Sequence, residues 1–309
     1  MSVMKNKVAA LVTSQWLKSQ LLSSNKLKLL DASWTFQHTG PEQYFTKHIP
    51  GALFFDQNRC VKPKPTCAVG FPEPQCFQKY VRSLGVNMDD HLIVYDRGNS
   101  VGAARAWWTL RAMGHPSVSV LNGGLMHWEN EGEPTEMGDP PSETKDGDFE
   151  LQLKDSIICR FKDMVSIAES GNSQVLDGRG RSDFLGEGEE PSGPTKMALE
   201  NFNMPLPPTM VKGHIRGSIH CPLGPFKDKE TGLVLPKDEL KQIFEKAGAR
   251  WDWPITTLCY NGNNASFLAL CAAETGRDDA AVYYASWTEF GQLADPKLCV
   301  VGQESRKQG

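Results

Sequence analysis

Cys259 stands in the run Thr256-Thr257-Leu258-Cys259-Tyr260-Asn261-Gly262-Asn263-Asn264, where an apolar strand pattern gives way to a Gly/Asn-rich turn and then to the helical Ala265-Ser266-Phe267-Leu268-Ala269-Leu270. A cysteine at such a junction can act as a nucleophile. A tight loop ahead of a helix turns backbone N–H groups inward, and the positive end of the helix favours a thiolate over a thiol. The thiol is therefore expected to ionise below its free value of about 8.5. Gly262 allows a bend that a β-carbon would oppose, and Asn264 is expected to cap the helix. The same geometry also houses inert core cysteines, and Asn261, Asn263 and Asn264 serve equally well as turn formers.

The elements that must position this loop occur twice. Leu27 to Asp31 and Gln174 to Asp177 are short apolar runs ending in an aspartate. Each leads to a His-Ile-x-Gly turn, His48-Ile49-Pro50-Gly51 and His214-Ile215-Arg216-Gly217. A second apolar segment follows, then a helix stopped by Gly85 or Gly248 in the manner of a C-cap. A third strand follows in both, His91 to Tyr95 running into Asp96 and Thr256 to Leu258 running into Cys259. Helices over 103–113 and 265–274 come next, then strands Val118 to Leu121 and Ala280 to Tyr283. Each half closes on a small-residue turn and a tryptophan, Gly123-Gly124-Leu125-Met126-His127-Trp128 and Ala285-Ser286-Trp287. A matched order of parts implies two homologous α/β domains, each a mainly parallel sheet with helices on both faces and ligands at the carboxyl ends of strands. The first spans 8–137, a linker and start of the second 138–160, and the second 161–300. The polar stretch Gly138 to Asp148 is the linker, and the breaker-rich Gly186 to Pro208 is a loop insertion.

Composition narrows the class. The 309 residues suit two domains, and a net charge of -4 with 23% charged residues offers no basic stripe for nucleic acid or an anionic membrane. No apolar stretch approaches the 18 or so residues that span a bilayer, and the start lacks the hydrophobic region of a secretory signal. A cytoplasmic location is expected, with a mitochondrial one as the alternative, because Lys5, Lys7, Lys18, Lys26 and Lys28 precede the first acidic residue, Asp31. Eight cysteines without a C-x-x-C pair predict reduced thiols, no zinc ribbon and no disulfide scaffold; Cys60, Cys67 and Cys76 are too irregularly spaced for a metal site. No metal or cofactor is expected.

Leu30-Asp31-Ala32-Ser33-Trp34, Tyr44-x-x-x-His48-Ile49-Pro50-Gly51-Ala52, Arg105-Ala106-Trp107-Trp108, Asn122-Gly123-Gly124 and Ser286-Trp287-Thr288-Glu289-Phe290 together resemble the two-domain rhodanese-like sulfurtransferases, which act on thiosulfate or 3-mercaptopyruvate. The likeness runs from about Val8 to about Leu298. It implies tandem rhodanese-like domains and a ping-pong reaction in which the Cys259 thiolate takes the outer sulfur of a small donor as a persulfide. A thiol such as thioredoxin or glutathione, or cyanide, then removes it. It implies an active-site loop of Cys259, Tyr260, Asn261, Gly262, Asn263 and Asn264, with Arg179 and Arg181 as substrate-binding residues. The first domain, with Asp96 in place of the nucleophile, should be catalytically silent and wall a site near Trp34. His48, His214, Trp128 and Trp287 also read simply as turn and packing residues.

The chain departs from the family at the loop. Thiosulfate enzymes carry basic residues after the cysteine and mercaptopyruvate enzymes Gly-Ser, whereas this chain has Tyr260-Asn261. Asp177-Gly178-Arg179 keeps the family's first arginine, but a second falls on Asp183 and a third on Ser192. An arginine fork to an anion supplies charge-assisted bonds of about 1.5–3 kcal/mol each, and Asp183 would repel the same anion. Poor use of thiosulfate and mercaptopyruvate is therefore expected. The rival reading is a degenerate binding or sulfur-relay module with little turnover. A phosphatase is disfavoured, because the arginine its loop needs falls on Ala265.

Overall fold

The computed structural model describes residues 8–23, 26–34, 41–67, 69–139, 145–201, 203–207 and 209–302. They divide into two compact units. The first takes those within Met1–Cys60, Glu73–Lys154 and Lys229–Val234, and the second those within Val61–Pro72, Asp155–Asp228 and Leu235–Gly309.

The first unit carries β1 (Leu11–Val12), β2 (Leu27–Asp31), β3 (Leu53–Phe54), β4 (His91–Tyr95) and β5 (Val118–Leu121), ordered β1-β5-β4-β2-β3. All pairs are parallel. The sequence His91-Leu92-Ile93-Val94-Tyr95 is a continuous apolar run because both faces of a central parallel strand are covered. Leu92, Ile93, Val94 and Tyr95 are all fully buried. The Asn122 side chain holds the returning segment at Val234, donating to its carbonyl at 3.0 Å and accepting its N–H at 2.9 Å.

The second unit repeats the plan with β6 (Ile158–Cys159), β7 (Gln174–Asp177), β8 (His214–Ile215), β9 (Ile219–His220), β10 (Ile255–Leu258), β11 (Ala281–Tyr283) and β12 (Cys299–Val300). Its main sheet runs β6-β11-β10-β7-β9, again all parallel, and β8 pairs antiparallel with β12. The two five-stranded orders superimpose element for element. β4 and β10 hold the same place, so Asp96 and Cys259 leave equivalent strand ends. The paired turn histidines are structural: His48 Nδ1 meets Tyr44 O at 2.8 Å and stacks on that ring, and His214 Nδ1 meets Phe184 O at 2.6 Å and stacks on Phe184.

Three expectations are corrected. Cys60 and Cys76 form a disulfide, because the turn after β3 and the first turn of helix Pro74–Ser83 bring their Cα atoms to 5.7 Å, within bridging range. The insertion after Gly186 contains a helix, Gly193–Asn201, although Pro208 and part of the expected linker, 140–144, lie outside the described residues. The helix after Cys259 begins at Asn263 with Gly262 as N-cap, so Asn264 sits in its first turn and caps nothing. Ser266 Oγ bonds back to Gly262 O at 2.8 Å instead. Among the described residues no helix is long and apolar enough to cross a membrane.

Candidate active site

The Cys259 loop is built by β10 and by two helix starts. Helix Asn263–Glu274 follows the loop, and Gly262 at its N-cap has φ +89°, a left-handed value that glycine takes without steric penalty. This bend carries the Gly262 N–H to Cys259 Sγ at 3.2 Å. The N–H groups of Asn264 and Ala265 have no intrahelical acceptor, as in the first turn of any helix. The second helix, Ser286–Leu293, grips the loop from outside. Trp287 N–H donates to Cys259 O at 3.0 Å, and Thr288 donates to Tyr260 O from its N–H at 2.9 Å and from Oγ1 at 2.8 Å. Ser286 Oγ accepts the Cys259 N–H at 3.0 Å while donating to Tyr283 O at 2.7 Å.

The first unit builds the same cradle around a carboxylate. Asp96 Oδ1 accepts the N–H groups of Gly98 at 2.9 Å and Ser100 at 3.0 Å, and Oδ2 accepts that of Ala103 at 3.0 Å. Ser100 is the N-cap of helix Val101–Ala112, as Gly262 is of its own helix. The two loops are not the same length: the N-cap comes four residues after Asp96 and three after Cys259. Ala103, whose N–H meets Oδ2, is the third residue of its helix, the position Ala265 holds in the helix after Cys259.

The sequence profile of the rhodanese-like domain matches residues 13–131 and 161–293. The chain belongs to the rhodanese family. It is 33% identical to the thiosulfate sulfurtransferase of Rattus norvegicus, over 96% of this chain and 97% of that one. It is 34% identical to the 3-mercaptopyruvate sulfurtransferase of Mus musculus, over 93% and 94%. Its fold matches the crystal structure of SseA from Escherichia coli, described as a 3-mercaptopyruvate sulfotransferase, with a TM-score of 0.76, 28% identity and coverage of 91% and 99%.

In this rhodanese the predicted loop residues fall together, with the Arg179 guanidinium 5.8 Å from the Tyr260 ring centroid, whereas Arg181 is exposed. Cys259, Tyr260, Asn261 and Asn263 are buried around the turn. Arg179 is completely buried, bound to Asp177 from Nε at 3.0 Å and Nη2 at 2.7 Å and to Gly213 O at 2.8 Å. Its guanidinium lies 4.0 Å from the Trp287 ring centroid, and Nη1 is 4.0 Å from Glu190 Oε1. Burial works against its charge, but Asp177, Tyr260 and Glu190 outweigh that and hold its pKa above the ordinary value. Glu190 also accepts the Trp287 indole N–H at 3.0 Å and the Ser192 N–H at 3.1 Å. Burial raises the Glu190 pKa, opposed by Arg179. Arg181 is exposed at the start of the short helix Arg181–Leu185. Asp183 and Ser192 meet at the Tyr260 phenol, whose pKa is driven far up by burial first and Asp183 next.

Ser286 is the residue that sequence reasoning passed over. It adopts φ +55°, a conformation L side chains avoid, and its counterpart Gly124 has the same φ +55° with Leu125 N–H on Asp96 O at 2.8 Å. The cysteine-bearing copy thus keeps a strained serine where the other uses glycine. Aligning Gly123-Gly124-Leu125 with Ala285-Ser286-Trp287 would have exposed the contrast. Ser286→Ala should lose about 1–3 kcal/mol by leaving the buried Cys259 N–H unpaired. Ser286→Gly should recover about 1 kcal/mol of that by relieving the backbone. Both should slow sulfur uptake about tenfold through misplacement of Cys259, without raising KM. Urea unfolding and single-turnover kinetics separate the two effects; a Gly variant with parental uptake would leave Ser286 a packing residue.

Proposed function

We propose that this rhodanese-family sulfurtransferase moves sulfane sulfur from a small donor to a thiol acceptor, thioredoxin or glutathione in class, through a persulfide on Cys259. The observation that carries the reading is the Cys259 Sγ seated on the Gly262 N–H, in a cradle whose twin holds both oxygens of Asp96 by three N–H groups. The thiolate attacks the outer sulfur of the donor, the bond to that sulfur breaks, and its electron pair leaves with the remainder. The new outer sulfur, one bond beyond Sγ, lies towards the start of the loop's helix, where the N–H groups of Asn264 and Ala265 stabilise its negative charge without a metal. An incoming thiolate then attacks that sulfur, and Cys259 leaves as the thiolate it began as. A carboxylate is no sulfur nucleophile, so the first unit is silent, and its Asp96 is a permanent occupant of the cradle.

The reading extends to a cytoplasmic or mitochondrial enzyme. Arg179 favours the second reading, a sulfur relay with little turnover, because its guanidinium is already paired with Asp177 and is not free for an anionic donor. Mass spectrometry of the protein after exposure to thiosulfate, 3-mercaptopyruvate and a hydropersulfide tests both. One added sulfur atom on Cys259 with turnover to a dithiol supports the enzyme, and the adduct without turnover supports the relay. No adduct with any donor, while a control sulfurtransferase loads, removes both.

A further inference from the structure

The charges against the Cys259 loop are mostly negative, and the guanidinium among them is already engaged. Arg179 pairs with Asp177 and leans on Glu190. Those two carboxylates are buried, whereas Asp183 is half-buried and makes no ion pair among the described residues. It lies against the phenol of Tyr260, next in sequence to the nucleophile. That phenol has Asp183 and Ser192 as its side-chain neighbours, whereas Asn263 Oδ1, in the first turn of the loop's helix, meets no partner in hydrogen-bond geometry. Tyr260 and Asn263 are both more than nine-tenths buried. Buried polar atoms are nearly always paired, so the orphaned Asn263 Oδ1 beside the Tyr260–Asp183 pair marks the place of a missing ligand donor. Asn263 Oδ1 can only accept, the phenol can accept, and Asp183 adds a full negative charge. Such a wall fits a molecule that brings N–H groups and positive charge.

We propose that the sulfur donor of Cys259 carries an ammonium group near its sulfane sulfur, as an amino-thiol hydropersulfide does, and that Asp183 is the residue that selects it. The proposal rests on the sulfur-transfer reading above. The Cys259 thiolate attacks the outer sulfur of R–S–S–H. The S–S bond breaks, its electron pair leaves on the inner sulfur as R–S⁻, and the outer sulfur keeps its proton in Cys259–S–S–H. Sulfane sulfur passes between two thiolates, so no oxidant or reductant is required. A dianionic or keto-acid donor meets Asp183 with like charge, whereas an ammonium meets it with opposite charge and finds acceptors in Tyr260 and Asn263.

The test uses two donors of matched length and opposite charge, the hydropersulfides of cysteamine and of 3-mercaptopropionate. Loading of Cys259 is followed by mass spectrometry in the whole protein, at low and high ionic strength. The cationic donor is expected to load with at least about tenfold higher kcat/KM at low salt. The gap should narrow as salt screens the attraction. Asp183→Asn should remove most of it and Asp183→Arg reverse it. Equal loading of the two donors by the parent, a gap insensitive to salt, or a gap unchanged in Asp183→Arg overturns the proposal and leaves sulfur transfer standing. The salt series needs no variant, so a misfolded Asp183→Arg does not blunt the test. If neither these donors nor thiosulfate adds sulfur to Cys259, the sulfur-transfer reading falls, and this proposal with it.

Discussion

Cys259→Ser should take up no sulfur from any donor and turn over at least about a thousandfold more slowly than the parent. The change removes one atom's identity and little else, since the serine oxygen still faces the Gly262 N–H that Sγ meets at 3.2 Å. A hydroxyl beside N–H donors alone has no base to ionise it, and a loop that stabilises an anion cannot make one at neutral pH. The companion Asp96→Asn should keep the sulfur adduct and the parental rate. It loses only stability, because an amide cannot accept on both sides what Asp96 accepts from Gly98, Ser100 and Ala103. Adduct mass and thiocyanate or sulfide release measure both variants side by side. Equal rates for Cys259→Ser and the parent would end the nucleophile assignment, and loss of the adduct in Asp96→Asn would end the assignment of the first unit as silent.

Arg179→Ala should destabilise the protein by about 3–5 kcal/mol, because it strands Asp177 as an uncompensated buried charge. Both side chains are fully buried, and the two share three contacts of 2.7 to 3.1 Å from Nε and Nη2. The loss extends to the Trp287 ring, over which the guanidinium sits at 4.0 Å, and to the Gly213 carbonyl at 2.8 Å. Removing both charges together, as Asp177→Asn with Arg179→Gln, should recover a large part of the loss, since neutral partners escape most of the desolvation penalty. Urea midpoints of the single and double variants give the coupling. A family-style substrate arginine would behave otherwise: Arg179→Ala would keep its midpoint and raise KM for an anionic donor. That outcome would return Arg179 to the role expected from the motif Asp177-Gly178-Arg179.

The duplicated sheet was legible because its signals are local and periodic. The strands Leu27–Asp31, Gln174–Asp177, His91–Tyr95 and Val118–Leu121 are bounded by turn residues and filled with β-branched or large apolar side chains, and the structure places them where the pattern does. The two-residue strands β1 and β6 escaped, because two residues carry no period and become strands only by pairing with β5 and β11. The Cys60–Cys76 bridge escaped for a related reason. Spacing along the chain says nothing of the fold that closes the gap to 5.7 Å.

Cys259 itself was decided by the sequence: its place after an apolar strand, the Gly262 turn, the helix that follows and the aspartate at the matching point of the first repeat are all written in order along the chain. Backbone conformation and strand ends are short-range properties, so they survive being read one residue at a time. The surroundings of Cys259 were decided only by the tertiary structure. Arg179 becomes a locked strut, Asp183 and Ser192 converge on Tyr260, and Ser286 reaches across 27 positions to hold the Cys259 N–H. A side chain's charge is a property of its type, but whether that charge is free for a substrate depends on which other chain segments bury it and pair with it. Such pairings join residues distant in sequence, and no local pattern records them.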